Sequence, residues 1–151
     1  MNNINITLPD NSVKTFPEGI TAQEVANSIG SGLARAVVVA KIDGVLKDLN
    51  YKILKDSSLE LLTGDTPEGH DTLLHSTAHL MAQAVKALYP NAKFTIGPTI
   101  ENGFYYDFDL DVSFSEDSLV SIENKMKELS KKNQEIHRYE VSASEAVSIF
   151  E

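Results

Sequence analysis

Residues 75–79 read HSTAH, which puts His75 and His79 four positions apart in a stretch patterned as a helix. Side chains at that spacing lie about 6 Å apart along a helix axis with a small angular offset, so both imidazoles can reach one small object. Three kinds of chemistry are open to such a pair. They can simply be two histidines at the edge of a core, hydrogen-bonded or solvated. They can be half of a metal site, because zinc proteases also hold histidines four apart on a helix. That motif, however, carries a glutamate directly after the first histidine, where this chain has Ser76, and no spacing supports His70, Asp71 or His137 as a further ligand. The third is general acid–base work, for which imidazole is the natural group near neutral pH. Ser76, Thr77, Ala78 and Ala82 are small and leave room for a ligand against the helix. Spacing alone does not choose among the three.

The elements around the pair follow from periodicity. The helix is predicted from Asp71 as N-cap to Tyr89, stopped by Pro90, with Leu74, Ala78, Met81, Val85 and Leu88 on its core-facing stripe. Lys93 to Ile96 reads as a strand. The turn signals Ile96-Gly97-Pro98 and Glu101-Asn102-Gly103 then predict a short hairpin leading into a strand over Phe104–Phe108. Ser115 opens a second helix with Leu119, Ile122, Met126 and Leu129 on one face. Arg138 to Val141 patterns as a strand. Ser142-Ala143-Ser144-Glu145 is a capping box whose helix is still running at Glu151, so the second domain is expected to be cut short.

Upstream lies a different texture. Ile4, Ile6 and Leu8 alternate with Asn5 and Thr7, Pro9 to Ser12 is turn chemistry, and Val13 to Phe16 resumes the alternation, which predicts a hairpin. Thr21 and Glu24 form a capping box for a short helix that Gly30 ends. Ala36 to Ile42 is a β-branched run read as a buried strand, Asp43-Gly44 turns the chain into Val45-Leu46, and Leu59 to Leu62 is a last strand. That order fits a small mixed sheet gripping one helix, a β-grasp. The whole is an α+β chain with a β-grasp domain over residues 1–63, a linker over 64–70 and a second, incomplete α+β domain over 71–151.

Bulk properties narrow the function. Of the 151 residues, 42% are hydrophobic and 23% charged, ordinary values for a globular protein, and no apolar run reaches bilayer length. The opening MNNINITLPD lacks a basic segment followed by an apolar one, so a cytoplasmic protein with no membrane partner is expected. There is no cysteine, hence no disulfide and no thiolate metal site. A net charge of −9 argues against a free-standing nucleic-acid binder, and reads first as a solubilising surface, but leaves room for RNA if other domains carry the affinity.

Three segments, RAVVVAKIDGVLKDLNYKI, HSTAHLMAQAVKALYP and IGPTIENGFYYDFD, resemble in that order the N-terminal part of bacterial threonyl-tRNA synthetases, over essentially the whole chain. The resemblance implies a TGS domain followed by the start of an editing domain of the kind shared with alanyl-tRNA synthetases. Such enzymes are ligases that attach threonine to its tRNA using ATP. Serine lacks only one methyl, and a pocket discriminates poorly on one methyl, so a second site that hydrolyses mischarged seryl-tRNA is physically expected. The family builds that site from HxxxH and a later CxxxH. His75 and His79 match the first half as catalytic residues, and the second half has no counterpart here. Tyr106, the second tyrosine of GFYYD, matches a substrate-binding position, as does Gly97 of the IGP turn, whose bare backbone would admit the adenosine; packing for the strand aromatic and a plain turn for the glycine are the alternatives.

The resemblance further implies no metal at this site, unlike the zinc-binding alanyl relatives. ATP, magnesium and zinc are expected in the aminoacylation domain of the full-length enzyme, tRNA is the expected partner through its acceptor end, and the full-length protein is expected to be a homodimer. An alternative is a non-catalytic TGS-type module that binds RNA or protein beside an inert partial editing domain. A TGS-bearing GTPase is disfavoured, because no G-x-x-x-x-G-K-[ST] loop is present.

Overall fold

A computed structural model describes residues 2–134 and 136–150. The chain opens with strands β1 (Asn3–Thr7), β2 (Val13–Pro17) and β3 (Ile20–Thr21), then helices α1 (Ala22–Ile29) and α2 (Ser31–Ala36). Strands β4 (Val37–Ile42), β5 (Val45–Lys47), β6 (Lys52–Ile53) and β7 (Ser57–Thr63) follow, and then the long helix α3 (Pro67–Leu88). Four short strands come next, β8 (Lys93–Phe94), β9 (Thr99–Ile100), β10 (Gly103–Phe104) and β11 (Phe108–Asp109), and helices α4 (Glu116–Lys131) and α5 (Ala143–Phe150) complete the order.

The first part is the β-grasp predicted from the strand pattern. Its sheet runs β2-β1-β7-β4-β5, with β1 and β7 parallel at the centre and the remaining pairs antiparallel. One sheet face closes on α1: Ile4, Ile6, Ala40, Ile42 and Leu59 bury Ala22 and Val25, with Ile53 beneath. The Thr21 hydroxyl accepts the Glu24 N–H at 3.2 Å while the Glu24 carboxylate accepts the Thr21 N–H at 2.8 Å, which is the capping box expected there. Asp43 and Gly44 both take positive φ in the hairpin turn between β4 and β5. The β3–β6 pair and α2 are too short to leave a periodic signature.

The start of the helix at the β7–α3 junction differs from expectation. The helix begins at Pro67, with Thr66 as N-cap, rather than after Asp71, so half of the stretch read as linker is its first turn. The physical cues are Thr66, whose side chain accepts the Gly69 N–H at 3.1 Å, and Pro67, whose missing donor costs nothing at the first helical position. The buried strand expected over Ala36 to Ile42 is present as β4, with buried residues on both sheet faces. Val39 and Leu62 are cross-strand partners on the sheet face opposite α1, and both are buried there, where α3 packs against β4 and β7.

Beyond α3, a second core joins Ala84, Val85, Ala92 and Ile122 with Met81, Tyr89, Phe94, Phe108, Met126 and Leu129 around it. The predicted stripes of α3 and α4 supply it, each trimmed at one end: Leu88 is 38% and Leu119 58% exposed. The single strand expected over Phe104–Phe108 is two, β10 pairing with β9 and β11 with β8. Pro98 lacks an amide donor, and the ladder breaks around it, leaving isolated bonds from Asp107 N–H to Ile96 O and from Tyr105 N–H to Pro98 O. Arg138 to Val141 is no strand; it has no ladder partner among the described residues, and Arg138 instead pairs with Glu140. The Ser142–Glu145 capping box is present, with Ser142 N–H donating to the Glu145 carboxylate at 2.8 Å.

Candidate functional site

His75 and His79 lie in the middle of α3, between the turn that packs on the β-grasp sheet and the turns that enter the second core. Ala78 between them in sequence is fully buried and fixes the inward face, so both histidines are turned outward and are exposed. Their rings meet edge to face, with centroids 4.4 Å apart and planes inclined by 66°. Two imidazoles in that arrangement offer donor and acceptor nitrogens to one water or hydroxyl held against the helix. Among the described residues, no group of three His, Cys, Asp or Glu is placed to hold a metal ion.

Gly97 and Tyr106 also come together, away from the sequence positions that separate them. A Cβ on Gly97 would lie 2.8 Å from Cγ of Tyr106 and closer still to the ring edge, so the bare backbone is what lets that ring lie against the turn. The Tyr106 ring also stacks on Phe108, with centroids 5.0 Å apart and planes within 9°. Phe94 meets both rings edge-on. Tyr106 is half-buried, whereas Tyr105 beside it is exposed, as alternation along an extended segment requires. Gly97 and Tyr106, both matched to substrate-binding positions by the resemblance, thus pack on each other, and the Tyr106 ring fills the space beside the Gly97 backbone.

One hydrogen bond joins the two pairs of residues. The Thr99 hydroxyl donates to the Asp71 carboxylate at 2.6 Å, tying β9, in the segment that carries Gly97 and Tyr106, to the helix one turn before His75. Sequence reading missed this contact. Its partners stand 28 positions apart, and Asp71 reads as the N-cap, a place that Thr66 fills instead. No periodic pattern signals such a pair. A groove of about 400 Å3 lined by Leu80, Met126 and the Glu123–Lys131 side of α4 lies between α3 and α4 and does not include either histidine.

Comparison with known proteins adds an independent line. The family model for the TGS domain matches residues 4–63. The chain is 50% identical over 150 residues to the threonine–tRNA ligase of Citrifermentans bemidjiense, covering 99% of this chain and 24% of that protein. It is 52% identical over 145 residues to the threonine–tRNA ligase of Alkalilimnicola ehrlichii, covering 96% and 23%. For that of a Geobacillus species the figures are 47% over 148 residues, 98% and 23%. The chain thus spans about a quarter of the length of the curated relatives it matches.

Proposed function

We propose that the chain, 50% identical over 99% of its length to a threonine–tRNA ligase, belongs to that family over the quarter of those enzymes that it spans, and that its α3 supplies the two-histidine half of a site that hydrolyses serine wrongly esterified to threonine's tRNA. The observation that carries the reading is the exposed His75–His79 couple, on the flank of the helix beside the buried Ala78. One imidazole orients or deprotonates a water as it attacks the ester carbonyl, and the other holds the ribose hydroxyl beside the ester. The C–O bond to the ribose breaks, the ribose oxygen takes up a proton, and serine leaves as the free acid. Tyr106 flanks the terminal adenosine from the aromatic cluster, and Gly97 keeps Tyr106 in place.

The second half of the site, CxxxH in the resembling family, has no counterpart in a chain without cysteine. Hydrolysis accordingly belongs to a longer protein that contains this region, a cytoplasmic homodimer that contacts tRNA at its acceptor end. ATP, magnesium and zinc serve its aminoacylation domain. Identity that continues past residue 63 to 99% of the chain favours this reading over a free-standing TGS interaction module. The test is seryl-tRNA hydrolysis by the longer protein and by its His75→Ala and His79→Ala variants.

A further inference from the structure

The root of α3 is locked to the β-grasp sheet by three contacts of different kinds. Lys41, on β4, donates through Nζ to Glu68 Oε1 at 2.7 Å. The pair shifts in opposite senses, as mutual stabilisation requires: the hydrogen bond from Lys41 lowers the Glu68 carboxyl, and the same bond to Glu68 raises Lys41. Glu60, the cross-strand partner of Lys41 on β7, adds a second negative charge to the lysine's surroundings. Next to Glu68, Gly69 is buried, and a Cβ there would lie 2.7 Å from Thr66 Oγ1 and collide with the Thr63 carbonyl at the end of β7. Beneath both, Val39 and Leu62 are buried where α3 covers the sheet.

We infer that the TGS sheet is the mechanical base of the histidine helix, with Lys41, Glu68 and Gly69 as positioning residues for His75 and His79. No residue that breaks a helix stands between Gly69 and His79, and α3 is one uninterrupted helix from Pro67 to Leu88. From Glu68 to His79 is about 16 Å of helix at about 1.5 Å per residue. A tilt of about 10° at the root would carry the His79 backbone about 3 Å, against a tolerance of about 1 Å for productive geometry. The Ala84–Val85 end is anchored in the second core, so the imidazoles sit on the span between two fixed points. Fixing the first point turns the sheet from a neighbouring domain into part of the site's support.

The inference rests on the editing reading only in calling the imidazole pair a site, and its test reads the rings themselves. Imidazole 1H–15N spectra and amide hydrogen exchange are recorded on the 151-residue chain, on Lys41→Glu, on Glu68→Lys and on the doubly exchanged protein. Both single reversals should shift the His75 and His79 ring signals and raise amide exchange over residues 73–80 at least tenfold, and the double exchange should restore both. Glu68→Gln, which removes the charge without reversal, should produce the same shifts more weakly and covers the case of a reversal that fails to fold. His70, in the locked turn itself, moves in either case and is not the readout. Unchanged His75 and His79 signals and exchange in the folded Glu68→Gln and charge-reversed proteins would overturn the inference, whatever the outcome of any tRNA assay.

Discussion

The ring of Tyr106 lies against the backbone of Gly97, in space that any other residue at 97 would fill with its Cβ. The contact turns a turn glycine into a packing requirement and gives the IGP and GFYYD segments a common reason to hold their residue types. A Gly97→Ala substitution must displace the ring or the turn. Overpacking of this kind costs about 1–3 kcal/mol. Near-UV circular dichroism and thermal melting should both report it, and Tyr106→Leu in the same chain should return part of the loss.

Removing Tyr106 has a separate cost. Its stack on Phe108 and its edge contact with Phe94 join β8 and β11 to the segment between Gly97 and Phe104. Tyr106→Ala is expected to destabilise the second core by about 1–3 kcal/mol, at the lower end for large-to-small changes because the residue is half-buried. Urea unfolding followed through the second core would measure it. Tyr105→Ala, at an exposed position, should cost under about 0.5 kcal/mol in the same experiment.

The Asp71–Thr99 bond links helix to hairpin, and a double-mutant cycle isolates it. Asp71→Asn and Thr99→Val should each cost about 1 kcal/mol, and together less than the sum by about 0.5 kcal/mol or more. Additive losses would mean that the two side chains do not act on each other.

Acid should weaken the β-grasp domain through identifiable carboxylates. Hydrogen bonds from the Thr21 backbone and side chain hold Glu24 below its ordinary value of 4.5, and the Ser58 backbone N–H does the same for Asp43 below 3.8. A carboxyl whose folded value is depressed contributes stability that is complete above its unfolded value and is lost as pH falls through the folded one. The melting temperature should therefore be flat from pH 7 to about 5 in this respect and then decline. Glu24→Gln should start lower at neutral pH and decline less steeply, as read by far-UV circular dichroism across a pH series.

Much of this architecture is legible in the sequence because its signals are local. Alternation in Ile4–Leu8, the Thr21–Glu24 capping box and the Asp43-Gly44 turn each specify an element within a few residues, and all are present. The helix bearing His75 and His79 is equally legible from its stripe. Its start was not, because Thr66-Pro67-Glu68-Gly69 reads as turn chemistry until the carbonyl of Thr63 and the ammonium of Lys41 are placed beside it. The Thr99–Asp71 bond and the Gly97–Tyr106 contact are long-range pairings, which no periodicity encodes. Arg138 to Val141 shows the converse: residues suited to a strand form none where no strand among the described residues pairs with them.

The most direct measurement is release of serine from seryl-tRNA bearing the threonine anticodon, by the 151-residue chain and by a protein extended through the CxxxH segment. The account predicts hydrolysis only in the longer protein, reduced about 100-fold or more by His75→Ala or His79→Ala, the range for losing a general acid or base. Because both rings are exposed, neither substitution should lower the melting temperature by more than a degree or two. Hydrolysis by the 151-residue chain that His75→Ala abolishes, or full activity of the longer protein without both imidazoles, would contradict it.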